Sequence, residues 1–213
     1  MAVAILEEIS ALLQKGRAAQ VSELVEKALA DGIAARDILN DGLLDGMGII
    51  GNKFKNNEIF IPEVLVAARA MNKGMEALKP YLVSEGIEPV GTTVIGTVKG
   101  DLHDIGKNLV KMMMEGNGLR VVDLGVDVSP EQFVEAAKEN NAQIICCSAL
   151  LTTTMNEMKN VVDLVRTSGL SDKVKVMVGG APITQAFCDQ IGADSYTTDA
   201  ASAAEVARTL CVS

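Results

Sequence analysis

The amino-acid sequence predicts an α + α/β protein, in which an N-terminal four-helix bundle precedes a Rossmann-like (flavodoxin-like), doubly wound sheet of five parallel strands. Apolar residues recur at helical spacing throughout residues 1–85, whereas residues 90–213 alternate short β-branched runs with helical stretches. The stretch "VSEGIEPVG" between them, which contains two glycines and Pro89, is typical of a linker. We therefore expect two domains, at 1–88 and 89–213.

Four helices are expected in the first domain. Gly16 and Gly32 stand where the first two should end, and a third is expected over roughly 37–54. A fourth is expected to run to about residue 82, with Pro62 at the favoured first position. The apolar residues that predict the first two helices are Ile5, Ile9, Leu12, Leu13, Val21, Leu24, Val25, Ala28 and Leu29. Short loops between four helices predict an antiparallel bundle.

Five strand-like runs, each followed by a helical stretch, make up the second domain. The runs are "TTVIGTV", "RVVDLGV", "QIICCS", "KVKVMVGG" and "DSYTT". A strand–helix repeat of this kind predicts a parallel, doubly wound sheet. Ligands of such sheets bind beyond the carboxyl ends of the strands, so the loops after the strands are the places to look for function.

The composition argues against several classes of partner. The chain has 19 Lys and Arg against 28 Asp and Glu, which argues against nucleic acid and anionic membrane surfaces, because both attract clustered basic residues. No run approaches the roughly 20 apolar residues that span a bilayer, and the first ten residues have no signal-peptide pattern. The four cysteines form no C-x-x-C motif, which is consistent with buried thiols in the cytoplasm.

The only histidine of the chain, His103, lies in the loop "GDLHDIGKN" after the first strand. This loop lacks the G-x-G-x-x-G pattern of dinucleotide-binding proteins. It also departs from the P-loop, because five residues separate Gly100 from Gly106 and Asn108 stands where Ser or Thr should be. Phosphate binding is therefore disfavoured.

Metal ligation is the other interpretation of the loop. Imidazole binds a metal through one nitrogen while the second donates to a carboxylate, and Asp101 is two residues from His103. One histidine cannot build a zinc site, which needs three or four protein ligands, but it can supply one axial ligand to a metal held by a macrocycle. From this loop alone, a surface histidine beside solvated acids stays open.

Small and hydroxyl-bearing residues follow the other strands. The third strand ends in "SALLTTT", the fourth in Gly179 and Gly180, and the fifth in "YTTDA". These residues can line a narrow groove for a long ligand at the same edge as His103. The alternative is ordinary helix capping by Thr152 or Thr153 and a turn at the two glycines.

Taken together, "DLHDIG", "SALLTT" and "GG" resemble the cobalamin-binding signature D-x-H-x-x-G…S-x-L…G-G. The B12-binding module of methionine synthase and the small corrinoid proteins of methyltransferase systems share this signature. The resemblance covers essentially the whole chain, since those proteins also place a helical cap before a Rossmann-like module. It implies a cobalamin or related corrinoid, bound base-off with a histidine on cobalt (base-off/His-on).

The resemblance assigns roles to individual positions. His103 is the expected lower axial cobalt ligand, Asp101 its hydrogen-bond partner, and Thr154 the end of the relay, where methionine synthase has a serine. Gly106 is expected to let the nucleotide tail of the corrinoid pass the start of a helix. The remaining cofactor contacts that the resemblance implies are Gly100, Leu102, Asp104, Ile105, Ser148, Leu150, Thr152, Gly179, Gly180, Tyr196, Asp199 and Ala200.

The first domain also carries part of the resemblance. The stretch "GNKFKNNEIFIP" resembles the cap segment that shields the upper face of the corrin, with Phe54 and Ile61 at its apolar positions. The third helix contains four glycines, each costing about 1 kcal/mol relative to alanine. They indicate either close packing against a helix or ligand, or a break in the helix. The four are Gly42, Gly46, Gly48 and Gly51.

The resemblance implies a methyl carrier of one-carbon metabolism that is not catalytic alone. It would accept a methyl group on cobalt from a substrate-specific methyltransferase, and a second methyltransferase would pass the group to an acceptor such as tetrahydrofolate or a thiol. A reductive activator protein is the third partner implied. The alternatives are a B12-binding subunit of a radical mutase, a B12-based sensor, and a flavodoxin-like signalling module without a corrin. The sequence does not indicate the methyl donor.

Overall fold

The computed structural model describes residues 2–212, which divide after Glu88 into two compact units. The first unit is helical and contains α1 (Ala2–Gln14), α2 (Ala18–Ala30), the single turn α3 (Ala35–Asp37), a π-helical segment (Ile38–Leu44), α4 (Asp45–Lys55) and α5 (Ile61–Ser84). The helical turns from α3 through α4 follow one another without a break, and together they form the third of the four predicted helices.

The glycines of this third helix allow a close approach to α1. A Cβ atom at Gly42 would lie 3.2 Å from the Ile9 side chain, and one at Gly46 would lie 3.2 Å from the backbone of Ser10. Ser10, buried at the same contact, donates from its hydroxyl to Asp45 at 3.0 Å. Close packing against a helix therefore accounts for two of the glycines, whereas a Cβ at Gly48 would meet nothing within 4 Å.

The second unit is a parallel sheet with helices in the connections. Its elements are β1 (Thr92–Thr97), α6 (Ile105–Glu115), β2 (Arg120–Asp123), α7 (Pro130–Glu139), β3 (Ile144–Ser148), α8 (Met155–Thr167), β4 (Lys175–Gly179), α9 (Gln185–Ile191), β5 (Ser195–Tyr196) and α10 (Ala200–Val212). The strand order is β2-β1-β3-β4-β5, and every neighbouring pair is parallel. The predicted fold class is confirmed.

The register of the sheet places three loops side by side. Thr97 pairs with Ser148, and Ser148 pairs with Gly179, so β1, β3 and β4 end in one row. Below this row the core consists of aliphatic and sulfur-containing side chains and the fully buried ring of Phe133. The loops that follow the three strands therefore leave the sheet close together. The packed core below them fixes the positions at which they begin.

In the part of the chain that the structure describes, none of the helices combines the length and the apolar character that crossing a membrane requires.

Candidate functional site

Asp101 is the centre of the site at the carboxyl edge of the sheet. Its carboxyl group is fully buried, and hydrogen-bonding contacts to both of its oxygens compensate for the loss of water. One oxygen, Oδ1, accepts from the backbone N–H of His103 at 3.1 Å and lies 2.7 Å from the Nδ1 atom of the same residue. The other, Oδ2, accepts from the backbone N–H groups of Leu150 at 2.7 Å and Leu151 at 3.1 Å.

These contacts fix the charge of Asp101. Burial by itself would raise the pKa of this carboxyl, but the hydrogen bonds from His103, Leu150 and Leu151 outweigh burial and hold the pKa well below its usual range. The carboxylate therefore has no proton to give, and the short contact to His103 requires a proton on Nδ1. The Nε2 atom of His103 is then the nitrogen with the free lone pair, and the imidazole is half exposed.

Thr154 closes the group of residues around Asp101. Its hydroxyl lies 3.0 Å from Oδ2 of Asp101 and 2.9 Å from the carbonyl oxygen of Leu151, and the residue is buried. The structure therefore brings together Asp101, His103 and Thr154, the three residues expected to form the relay. Thr154 also occupies the N-cap position of α8, but its side chain makes no cap hydrogen bond. Capping of α8 by Thr152 or Thr153 is thus wrong, and the alternative explanation of the hydroxyls loses its main support.

Exposed apolar side chains lie in the two loops that meet at Asp101. Leu102 and Ile105 are 71% and 73% exposed, and Leu150 and Leu151 are 44% and 39% exposed. Large apolar groups left open to water beside one free ring nitrogen favour an apolar ligand at this edge. Leu151 was not among the predicted contacts. Its position inside "SALLTT" was the available signal, but the signature assigns only alternate residues of that stretch.

The predicted glycines fall into two groups. A Cβ atom at Gly106 or at Gly179 would meet nothing within 4 Å, so no packing inside the protein requires glycine there. At Gly180, by contrast, φ is +131° and a Cβ would lie 1.9 Å from the carbonyl oxygen of Ala149. Gly180 thus lets the loops after β3 and β4 touch. Gly106 and Gly179 leave open space that a ligand can fill, and Gly100 adopts a left-handed φ of +81°.

Asp104 is the N-cap residue of α6, but its side chain makes no cap hydrogen bond and accepts instead from the side-chain amide of Asn108. Ser148 ends β3 and is half-buried, and Thr152 is exposed in the next loop. They lie at the edge that carries Asp101.

The end of β5 is explained mostly by local structure. Asp199 accepts from the backbone N–H and the hydroxyl of Ser202, both at 2.8 Å, which is the bonding of a helix N-cap at the start of α10. Ala200 is buried, and Tyr196 packs against the core. These contacts leave no feature of the three residues that requires a ligand.

The helical unit presents its own exposed apolar residues. Phe54 is half-buried near the end of α4, and Ile61 is 40% exposed at the start of α5. Two neighbours that the sequence analysis did not single out are also exposed, Phe60 at 67% and Leu65 at 43%. Phe60 could have been found from its place inside "GNKFKNNEIFIP".

Within residues 2–212, no group of three or more His, Cys, Asp and Glu side chains is arranged to hold a metal ion. The donor set at this edge is a single free nitrogen on His103. It fits a metal whose other ligands come from elsewhere, such as a macrocycle, and does not fit a site built from protein ligands alone.

Comparisons with known proteins identify the family of the chain. Two family models, both described as B12 binding domain, match residues 91–206 and residues 5–79. Trimethylamine corrinoid protein 1 of Methanosarcina acetivorans is 47% identical over 82% of either chain. The dimethylamine corrinoid protein of Methanosarcina barkeri is 44% identical over 97% of either chain. A chain of the methanol:cobalamin methyltransferase complex MtaBC from Methanosarcina barkeri superposes with a TM-score of 0.87, at 32% identity, covering 98% of this chain and 80% of that one. This chain therefore belongs to the B12-binding corrinoid proteins of methyltransferase systems.

Proposed function

We propose that the chain is a corrinoid methyl carrier in which His103 supplies the lower axial ligand to cobalt, in place of the base of the cofactor itself. The observation that carries the proposal is the state of the imidazole: Nδ1 is held 2.7 Å from a buried carboxylate, and the opposite nitrogen is free. When bound, the corrinoid would supply the chemistry of accepting the methyl group on cobalt and giving it up again.

The protein residues would bind and orient the cofactor. Asp101 keeps the proton on Nδ1 of His103, so that Nε2 stays available as the ligand atom. Leu102, Ile105 and Leu150 would cover the apolar face of the corrin ring, because all three are exposed in the loops that meet at Asp101. Gly106 and Gly179 would leave room for the nucleotide tail, since no atom of the chain occupies the space where their Cβ atoms would be.

The first test is the visible spectrum of the purified protein after incubation with hydroxocobalamin and removal of the free cofactor. Wild-type protein should retain about one corrin per chain. His103→Ala should change the spectrum, and added imidazole should restore it. Asn141→Gly, a substitution in the turn between α7 and β3, serves as the control and should match wild type. An identical spectrum in His103→Ala would overturn the ligand assignment, and a wild-type protein that retains no corrin would overturn the carrier function.

The division of labour between the two units is part of the proposal. We assign residues 1–88 to a cap and residues 89–213 to corrinoid binding. The two compact units and the separate family matches over 5–79 and 91–206 support this division. The exposed side chains of Phe60 and Ile61 make the start of α5 the segment best suited to shield an apolar cofactor face.

A methylated amine is the methyl donor that we propose. The relatives named for trimethylamine and dimethylamine are 47% and 44% identical to this chain, against 32% for the chain of the methanol complex. An amine methyltransferase would then be the first partner, a methyltransferase acting on a thiol or tetrahydrofolate the second, and a reductive activator the third. Loaded protein should be methylated by an amine methyltransferase and not by a methanol methyltransferase; the reverse result would overturn the donor class.

We place the carrier in the cytoplasm. Cys146, Cys147 and Cys188 are buried free thiols, as expected where no oxidant forms disulfides. Burial raises the pKa of Cys146 and Cys147, so both thiols stay protonated and unreactive at neutral pH. Fractionation of the source cells, with detection of this chain, would test the assignment.

A further inference from the structure

A second carboxylate, that of Asp127, is hydrogen-bonded to the loop that contains His103. It lies in the loop between β2 and α7, which borders the loop after β1. The Oδ1 atom of Asp127 accepts from the backbone N–H of Gly100 at 2.7 Å, and the backbone N–H of Asp127 donates to the carbonyl oxygen of Asp101 at 3.1 Å. One hydrogen bond holds the nitrogen of Gly100 and the other holds the carbonyl oxygen of Asp101. Together they fix both ends of this two-residue segment.

The backbone of these two residues carries the Asp101 carboxylate, which the N–H groups of Leu150 and Leu151 also hold from the loop after β3. Gly100 is at φ +81°, a region that glycine enters and leaves freely, so nothing in its own conformational preference fixes the chain there. A rotation about its backbone bonds would swing Asp101 and remove the partner of His103 Nδ1. The two hydrogen bonds of Asp127 oppose that rotation, together with the bond from the Asp101 N–H to the Val98 carbonyl.

The backbone of Asp127 is held in an unfavourable conformation, which indicates that the surrounding loop fixes this residue. Its φ is +56°, in the left-handed region, which costs free energy for most residues and is tolerated best by Gly, Asn and Asp. The loop is anchored on both sides of this residue, since Thr97 donates from its N–H to the Gly125 carbonyl and accepts from the Val128 N–H, each at 3.0 Å. The hydrogen bonds to β1 thus fix the position of Asp127 independently of its bonds to Gly100 and Asp101.

We propose that Asp127 is a positioning residue for His103, which sets the direction of the imidazole by fixing Gly100 and Asp101. The role of the imidazole as a cobalt ligand rests on the proposed function. The hold on its tautomer does not, because that is a property of the free protein.

Two variants separate the side chain of Asp127 from its backbone conformation. Asp127→Asn keeps an oxygen acceptor and a residue type that tolerates positive φ. Asp127→Gly keeps the conformation but removes the acceptor. Asn141→Gly is the matched control, because Asn141 also has a positive φ, at +49°. It lies in the turn between α7 and β3.

The first readout is the ¹⁵N spectrum of the imidazole in the free, untagged protein, in which the single histidine gives the only signals of this kind. Wild type, Asp127→Asn and Asn141→Gly should show one protonated and one bare nitrogen. Asp127→Gly should move both nitrogens toward averaged values, because the ring then samples both tautomers. Unchanged imidazole signals in a folded Asp127→Gly would overturn the proposal.

A measurement on the wild-type protein guards against a variant that does not fold. The amide of Gly100 should exchange with solvent far more slowly than its exposure suggests, because Asp127 holds it. Exchange at the rate of a free loop would also overturn the proposal. The second readout is the spectrum of the corrinoid-loaded protein, in which Asp127→Gly should lower the histidine-bound fraction and Asp127→Asn should not. If the free-protein signals shift while His103→Ala leaves the corrin spectrum unchanged, the positioning role stands and the ligand role of His103 fails.

Discussion

Asp101 and His103 are joined twice through one oxygen: Oδ1 lies 2.7 Å from the ring nitrogen Nδ1 and 3.1 Å from the backbone nitrogen of the same histidine. The second oxygen of the carboxylate binds two N–H groups from the loop after β3. One buried carboxylate therefore orients the imidazole and ties two loops together. Changes around this edge should separate effects on stability from effects on the ligand.

The ion pair between buried Lys107 and partly exposed Asp123 should respond asymmetrically to substitution. Lys107 is 3% exposed, and its ammonium bonds to Asp123 at 2.7 Å. Asp123→Asn should lower the free energy of unfolding by about 3 kcal/mol, because the buried lysine charge keeps its hydrogen bond to Asn108 but loses its counter-charge. Lys107→Met should cost less, since Asp123 keeps the Gly125 N–H and Lys111. Urea unfolding of the two variants measures the difference, and a greater loss in Lys107→Met would contradict the expectation.

The same pair predicts a pH dependence. Burial would raise the pKa of Asp123, but the hydrogen bonds from Lys107 and Gly125 and the lysine charges nearby hold it below its usual value. Because the pKa is lower in the folded state, the contribution of Asp123 is complete above the unfolded value of about 3.9 and is lost as the pH falls below it. The stability gap between wild type and Asp123→Asn should therefore narrow from pH 6 to pH 3, to be checked by urea unfolding at each pH. If the stability difference between wild type and Asp123→Asn stayed constant over this pH range, the ion pair would not be the source of that difference.

Two threonines of β1 form a matched pair for measuring one hydrogen bond. Both are fully buried, and Thr97 donates from its hydroxyl to the His103 carbonyl at 2.8 Å. Within the described residues, Thr93 is the one whose buried hydroxyl lacks a partner. Thr97→Val should therefore cost about 1 kcal/mol, whereas Thr93→Val should be neutral or stabilising. Thermal unfolding compares them, and equal losses would show that the hydrogen bond contributes nothing.

The glycines of the motif should separate by their surroundings. Gly180→Ala should destabilise the fold by more than about 2 kcal/mol, because its Cβ would overlap the Ala149 carbonyl. Gly106→Ala should leave stability unchanged or raise it by about 0.5–1 kcal/mol, since it lies in the first turn of α6 with open space around it. Under the proposed function it should nevertheless weaken corrinoid retention. Unfolding and cofactor retention, measured on both variants, check this; full retention in Gly106→Ala would remove that residue from the site.

The cap assignment can be tested with light. Phe54→Ala and Ile61→Ala should each speed the photolysis of bound methylcobalamin, because they remove apolar cover from the cofactor under the proposed function. Val83→Ala is the control, since Val83 is 73% exposed at the end of α5, remote in sequence from the proposed cap segment. The measurement is the photolysis rate at fixed light intensity. Rates equal to wild type in both cap variants would show that these residues do not shield the corrin.

The fold class and the loop that carries Asp101 and His103 could both be predicted from the sequence. Both conclusions rest on short-range information: the switch from helical to strand-and-helix periodicity, and the spacing of Asp101, His103 and Gly106 within one loop. Periodicity follows from backbone geometry, so it can be read without knowing which segments meet.

The hydrogen bonds that join the loops could not be predicted from the sequence. Thr154 lies 53 residues from Asp101 and Asp127 lies 27 residues from Gly100, yet each pair is within hydrogen-bonding distance. Such contacts depend on the strand order and on the register that pairs Thr97 with Ser148, neither of which leaves a local pattern in the sequence. For the same reason Gly180 and Gly106 look alike in the motif, although one is required by a neighbouring carbonyl and the other faces open space.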